Sequence, residues 1–171
     1  AAVDCASRIA MHCGGTMAEG WACYATDVMR EAGALTPLEA YAERQSRVRM
    51  ACRAVVDVEL HSGRMDLEEA TEFYRAHAGM PEASARSEAT KNSMFPGGAL
   101  MYLMGTDHLH RIRREVEALE GNRFTLRSFH DRFLSWGSIP VTLAGRLLLD
   151  QVRTGPSTPT PGHPGLHPSV P

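Results

Sequence analysis

The sequence predicts an all-α protein, an irregular multi-helix bundle, and three observations point there. Helix-start signals recur along the chain, with Thr36-Pro37-Leu38-Glu39 and Asp66-Leu67-Glu68-Glu69 the strongest. Apolar residues between the breaks return at helical spacing. Alternating runs of β-branched residues and Asn-Gly hairpin turns are missing from the sequence.

The stretch Ala18-Glu19-Gly20-Trp21-Ala22-Cys23-Tyr24-Ala25 sits on the first predicted helix. In the next, Thr36 and Glu39 can each bond the other's backbone N–H, and Pro37 at the first helical position has no N–H to lose. That helix is expected to run to about Leu60, with Gly63 as its stop. Tyr41, Val48, Cys52, Val55 and Val56 are its apolar positions, and Arg44, Arg47 and Arg49 mostly take other faces. Asp66 and Glu69 open a helix that ends near Ala78, before Gly79 and Pro81. Pro81 starts a short helix that stops before Phe95-Pro96. Pro96-Gly97-Gly98 opens a long one through Leu119, closed by Gly121. Thr125 caps a helix ending at Gly137, and Ser138 with Pro140 starts a last one that stops before Gly155. Residues 1–154 therefore read as one helical domain. Residues 155–171, rich in Pro, Gly, Ser and Thr, read as a disordered tail, with His163 and His167 solvated in it.

The composition sets bounds on function. A chain of 171 residues buries roughly 70% of its unfolded surface, enough for a real core. With 18 basic against 20 acidic residues the net charge is -2, so no cationic excess exists to drive phosphate binding, which argues against a nucleic-acid partner. No apolar run is long enough to span a bilayer. The chain starts Ala-Ala-Val-Asp without an initiator Met, so the lack of a signal pattern says nothing of compartment. Cys5, Cys13, Cys23 and Cys52 form no CxxC pair and read as buried free thiols.

Four segments carry residues suited to chemistry. Glu19 lies among small and apolar neighbours; it either faces water or is paired, protonated or metal-bound. Gly20 beside it permits close approach of another helix. Asp57 and His61 are four apart and share a helix face, which suits a carboxylate orienting an imidazole and equally a plain surface pair. Tyr102, among Met101, Leu103 and Met104, is either a hydroxyl that stabilises an oxyanion or a core residue. Arg127 and His130 lie together on the penultimate helix; His130 and Asp131, being adjacent, point about 100° apart. His108 and His110, two apart on a helix, read as surface residues.

These segments, in this order, resemble the carboxy-terminal half of a bacterial family known as domain-of-unknown-function 885. The matching pieces are Glu19-Gly20-Trp21-Ala22-Cys23-Tyr24-Ala25, Asp57-Val58-Glu59-Leu60-His61, Pro96-Gly97-Gly98-Ala99-Leu100-Met101-Tyr102 with Gly105, and Leu126-Arg127-Ser128-Phe129-His130-Asp131 with Gly137 and Pro140. The resemblance implies a helical zinc peptidase of gluzincin type, of which this chain is the carboxy-terminal part. It implies Glu19 as a zinc ligand, His61 and Tyr102 as catalytic residues and Asp57 as the orienter of His61. It implies Arg127 and His130 as architectural residues or as contacts to the carboxylate of a peptide substrate. The family's two zinc-binding histidines and general-base Glu, in an HExxPGH-like motif, would lie upstream of Ala1, in a part of the same protein that this chain needs as partner. A catalytic zinc takes about three protein ligands, so the chain alone is expected to be inactive. Two departures stand out: Thr26 replaces a second Glu, and Glu59 stands where the family usually has Gly. The rival expectation is a non-catalytic helical module that binds a partner through its exposed face.

Overall fold

The structure, a computed structural model, describes residues 14–155. The predicted tail beyond residue 155, and separately Cys5 and Cys13, lie outside the described residues. Seven α-helices and no strand occur among the described residues: α1 (Gly15–Glu31), α2 (Pro37–His61), α3 (Leu67–Ala78), α4 (Glu82–Met94), α5 (Leu100–Glu120), α6 (Leu126–Leu134) and α7 (Val141–Thr154). The fold is the all-α multi-helix bundle the sequence predicts.

Local chemistry sets most of the boundaries. At the start of α2 the Thr36 hydroxyl accepts from the Glu39 amide, and the Thr36 amide donates back to the Glu39 carboxylate at 2.8 Å. Asp66 and Glu69 repeat the exchange at the start of α3, at 2.8 and 2.9 Å. Each box satisfies amides that a helix start otherwise leaves open. Gly79 ends α3 in the left-handed conformation, φ 62°, where a side chain would be strained.

Three boundaries differ from the sequence expectation. Helix α5 begins at Leu100 and not at Pro96, because Gly97 turns to φ 76° and the Gly97 and Ala99 amides bond to Asp57. Helix α6 stops at Leu134, three residues before Gly137, which turns to φ 68° with its amide on the Leu134 carbonyl. Helix α7 starts at Val141 after Pro140, with no side-chain cap from Ser138.

Two apolar clusters hold the bundle. In the first, Tyr24 of α1, Leu109 and Val116 of α5, Phe129 and Phe133 of α6 and Leu148 of α7 are fully buried. In the second, Cys52 and Val56 of α2 pack with Ala70 and Tyr74 of α3 and Ala85 and Ala89 of α4. Cys23 and Cys52 are buried free thiols, as expected. The apolar positions predicted for α2 divide, however. Cys52 and Val56 are buried, whereas Tyr41 (61%), Val48 (42%) and Val55 (44%) are exposed. The exposed three recur every seven residues and so form their own stripe, off the face that Cys52 and Val56 bury.

Helices α1 and α5 pack where neither has a side chain. A Cβ built on Gly20 would lie 2.5 Å from Gly105 Cα, and one built on Gly105 would lie 2.7 Å from Gly20 Cα. The two backbones are in contact, and only glycine at both positions allows it. The close approach that the sequence suggests for Gly20 is thus made by α5.

Candidate functional site

The Gly20–Gly105 crossing brings Glu19, one residue before it on α1, to the same cleft as Tyr102, one turn before it on α5. The cleft measures about 360 Å³, and its other wall is α2, through Glu43, Ser46, Arg47 and Met50. Glu19 is half-buried and makes no ion pair with the described residues. Burial raises the Tyr102 phenol above its ordinary pKa, and the neighbouring Glu19 carboxylate raises it further. The hydroxyl therefore keeps its proton at neutral pH and remains a donor.

Side chains on α1 and α2 fix the floor of this cleft. Arg47 turns inward and donates to Glu43 Oε1 at 2.7 Å, to Asp27 Oδ1 at 3.0 Å and to the Cys23 carbonyl. Asp27, 6% exposed, also accepts from Arg30 at 3.1 Å and pairs with His110 Nε2 at 2.8 Å. The expectation that His110 is a mere surface residue is corrected: α5 presents it to a buried carboxylate of α1. His108 instead contacts Arg111 on the outer side. Glu43 is 8% exposed, and its second oxygen, Oε2, has no hydrogen-bond partner among the described residues.

Tyr102 also borders a second, smaller recess of about 100 Å³, with Arg53, Lys91, Asn92, Phe95, Gly98, Ala99 and Met101 around it. Arg53 donates to both oxygens of Glu88, at 2.6 and 2.7 Å. That fork holds the Glu88 carboxyl below its usual range.

Asp57 holds the turn that leads into Tyr102's helix. Its carboxylate is 2% exposed and accepts from the Gly97 amide (Oδ1, 2.8 Å) and the Ala99 amide (Oδ2, 2.8 Å). Oδ1 also meets His61 Nδ1 at 2.8 Å, so the pair expected from the spacing is formed. His61 Nε2 lies 3.4 Å from the Ser93 carbonyl. The hydrogen bond to the Asp57 carbonyl, with help from its carboxylate, raises the His61 pKa.

Of the six candidates, Glu19 and Tyr102 thus share a cleft. Asp57 and His61 join them through the turn at 97–99, and His61 lines neither cavity. His130 bonds the Tyr24 hydroxyl at 2.9 Å, and burial lowers its pKa. Arg127 is 93% exposed, its nearest charge being Asp131 at 3.8 Å. His130 and Arg127 line neither cavity. Glu43, Arg47, Arg53 and Lys91 were not singled out from sequence. Arg47 and Arg53 reach Asp27 and Glu88 on other helices, 20 and 35 residues away, and no local pattern marks those pairs.

A catalytic zinc requires about three protein ligands. Among the described residues no three His, Cys, Asp or Glu side chains converge to hold a metal ion. Glu19, on a cleft wall beside Tyr102 and without an ion pair among the described residues, fits one ligand of such a site and no more.

Residues 4–148 match the family described as "Bacterial protein of unknown function (DUF885)", and the chain belongs to that family. The solved structures similar to it include two candidate lipoproteins. One, a candidate lipoprotein from Colwellia psychrerythraea, shares 29% identity over 82% of this chain and 24% of its own, with a TM-score of 0.77. The other, a candidate lipoprotein of unknown function from Shewanella oneidensis, shares 29% identity over 80% of this chain and 26% of its own, with a TM-score of 0.73. The chain spans about a quarter of the length of these structures. No curated protein matches it. No helix among the described residues is long and apolar enough to cross a membrane.

Proposed function

We propose that this chain is one wall of the cleft of a zinc-dependent peptidase of gluzincin type, completed by another part of a longer protein. The observation that supports it is the meeting of Glu19 and Tyr102 across the Gly20–Gly105 crossing. Glu19 would give one carboxylate oxygen to the metal, with the remaining ligands coming from outside the chain. When bound, zinc would polarise a scissile carbonyl and bring the pKa of its water to about 7. Tyr102, held protonated by burial and by Glu19, donates its O–H to the carbonyl oxygen as negative charge develops there. Asp57, itself bonded to His61, positions Tyr102 by holding the 97–99 turn. Cleavage of a peptide by a longer protein carrying this chain tests the reading. Tyr102→Phe should lower kcat there by about 100-fold or more with little change in KM. An unchanged kcat would remove Tyr102 from the chemistry.

The exposed stripe of Tyr41, Val48 and Val55 favours a second reading, a non-catalytic helical module that docks on a partner. Size-exclusion chromatography of the isolated chain separates the two. A monomer with cooperative unfolding supports the self-contained module, and aggregation supports a wall that needs its missing partner.

A further inference from the structure

The recess that Tyr102 shares with Lys91 combines apolar walls with a net positive charge. Phe95, Ala99, Met101 and Tyr102 line it, and Gly98 packs against Phe95 at its edge, where a Cβ would come within 3.0 Å of the Phe95 carbonyl oxygen. Two cations border it. Arg53 is neutralised, because Glu88 takes both arms of its fork. The Asn92 amide is likewise engaged, donating to the Arg53 carbonyl at 2.9 Å. Lys91, in the last turn of α4, makes neither a hydrogen bond nor an ion pair with the described residues, although its charge also acts on Glu88.

Arg53 and Glu88 cancel, which leaves Lys91 as the net charge of the recess. A single ammonium beside apolar walls suits a monoanion joined to an apolar group. A phosphate, with nearly two charges, is better matched by a cluster of arginines. The volume of about 100 Å³ has room for one small group. We infer that this recess receives the terminal carboxylate of a peptide whose last side chain is apolar, with Lys91 supplying the charge.

The inference rests on the peptidase reading for its direction. Tyr102 borders both cavities, so a chain end seated at Lys91 places the preceding carbonyl toward Tyr102 and Glu19. The enzyme would then remove residues from carboxyl ends and would not cut within long chains.

Titration of the 171-residue chain, kept dilute so that it stays monomeric, with N-acetyl-phenylalanine and with its amide, followed by amide NMR shifts, tests the recess without any hydrolysis. The acid should bind saturably, with shifts at Gly98, Ala99, Met101 and Tyr102. The amide should bind about tenfold more weakly, the size of one charge-assisted contact. Lys91→Met should weaken the acid about tenfold as well, and Lys91→Arg should keep most of its binding. Lys91 is exposed, so these variants leave the core intact. Equal binding of acid and amide, shifts elsewhere, no effect of Lys91→Met, or no saturable binding would each overturn the assignment. Acid binding in a protein that cleaves no peptide would sink the peptidase reading and leave the recess standing. Equal cleavage of free-acid and amidated peptides would do the reverse.

Discussion

Gly20 on α1 and Gly105 on α5 meet backbone to backbone, and this contact sets the distance between Glu19 and Tyr102. A Cβ at either position would fall within 2.7 Å of the other's Cα. Backbone cannot move aside as a flexible side chain can. Gly20→Ala or Gly105→Ala is therefore expected to destabilise the fold by about 2–3 kcal/mol despite alanine's better helix propensity. Gly15→Ala is the control, since a Cβ there meets only the flexible Met101 thioether. Urea unfolding should show a clear loss for the first two and under about 1 kcal/mol for the third.

Asp57 is the second fixed point. Its carboxylate serves the Gly97 and Ala99 amides and the His61 ring while 2% exposed. Asp57→Ala leaves two backbone donors without their acceptor, at a cost of about 3 kcal/mol. The loss should also be local: hydrogen exchange should accelerate first at Gly97 and Ala99. If exchange there is unchanged, Asp57 does not hold the turn.

The two histidines respond to pH with opposite sign. His61 has its folded pKa raised above the ordinary 6.5, first by the Asp57 carbonyl. Its stabilisation is complete below about pH 6.5, the unfolded value, and is lost as pH rises through the higher folded pKa. His130 has its folded pKa lowered, first by burial and then by the Arg113 charge. Its stabilisation is present above about pH 6.5 and is lost as pH falls through the lower folded pKa. An NMR titration should place the His61 midpoint above 6.5 and the His130 midpoint below it. His61→Gln should remove the alkaline loss of stability and leave the acid one.

Glu19 can be linked to Tyr102 in this chain alone. Glu19's negative charge raises the Tyr102 pKa, second only to burial. Glu19→Gln should therefore lower the Tyr102 pKa in a spectrophotometric titration, with Tyr102→Phe identifying the signal. No shift would mean that the two groups are not neighbours.

What the sequence reveals is mostly local. Thr36 with Glu39 and Asp66 with Glu69 declare their helices because the capping partners are three residues apart. The Asp57–His61 pair is legible for the same reason, at four residues' spacing. The start of α5 is not, because the turn at Gly97 answers to Asp57, 40 residues earlier. His110 reads as a surface residue from its own helix, and its buried partner Asp27 is 83 residues away. Tyr41, Val48 and Val55 look like core by spacing, yet no described helix covers them. The cleft is partly legible: Glu19, Gly20 and Tyr102 stand in recognisable segments. Lys91 and the Arg53–Glu88 pair, which give the neighbouring recess its charge, stand in no such segment.

Zinc content of a longer family protein that carries this chain, with Glu19 intact and as Glu19→Gln, tests the central claim most directly. The account predicts one zinc per molecule in the first. It predicts an affinity loss of about tenfold or more in the second, with Tyr102→Phe retaining the metal. A protein that takes up no zinc, or whose zinc is indifferent to Glu19→Gln, would contradict it.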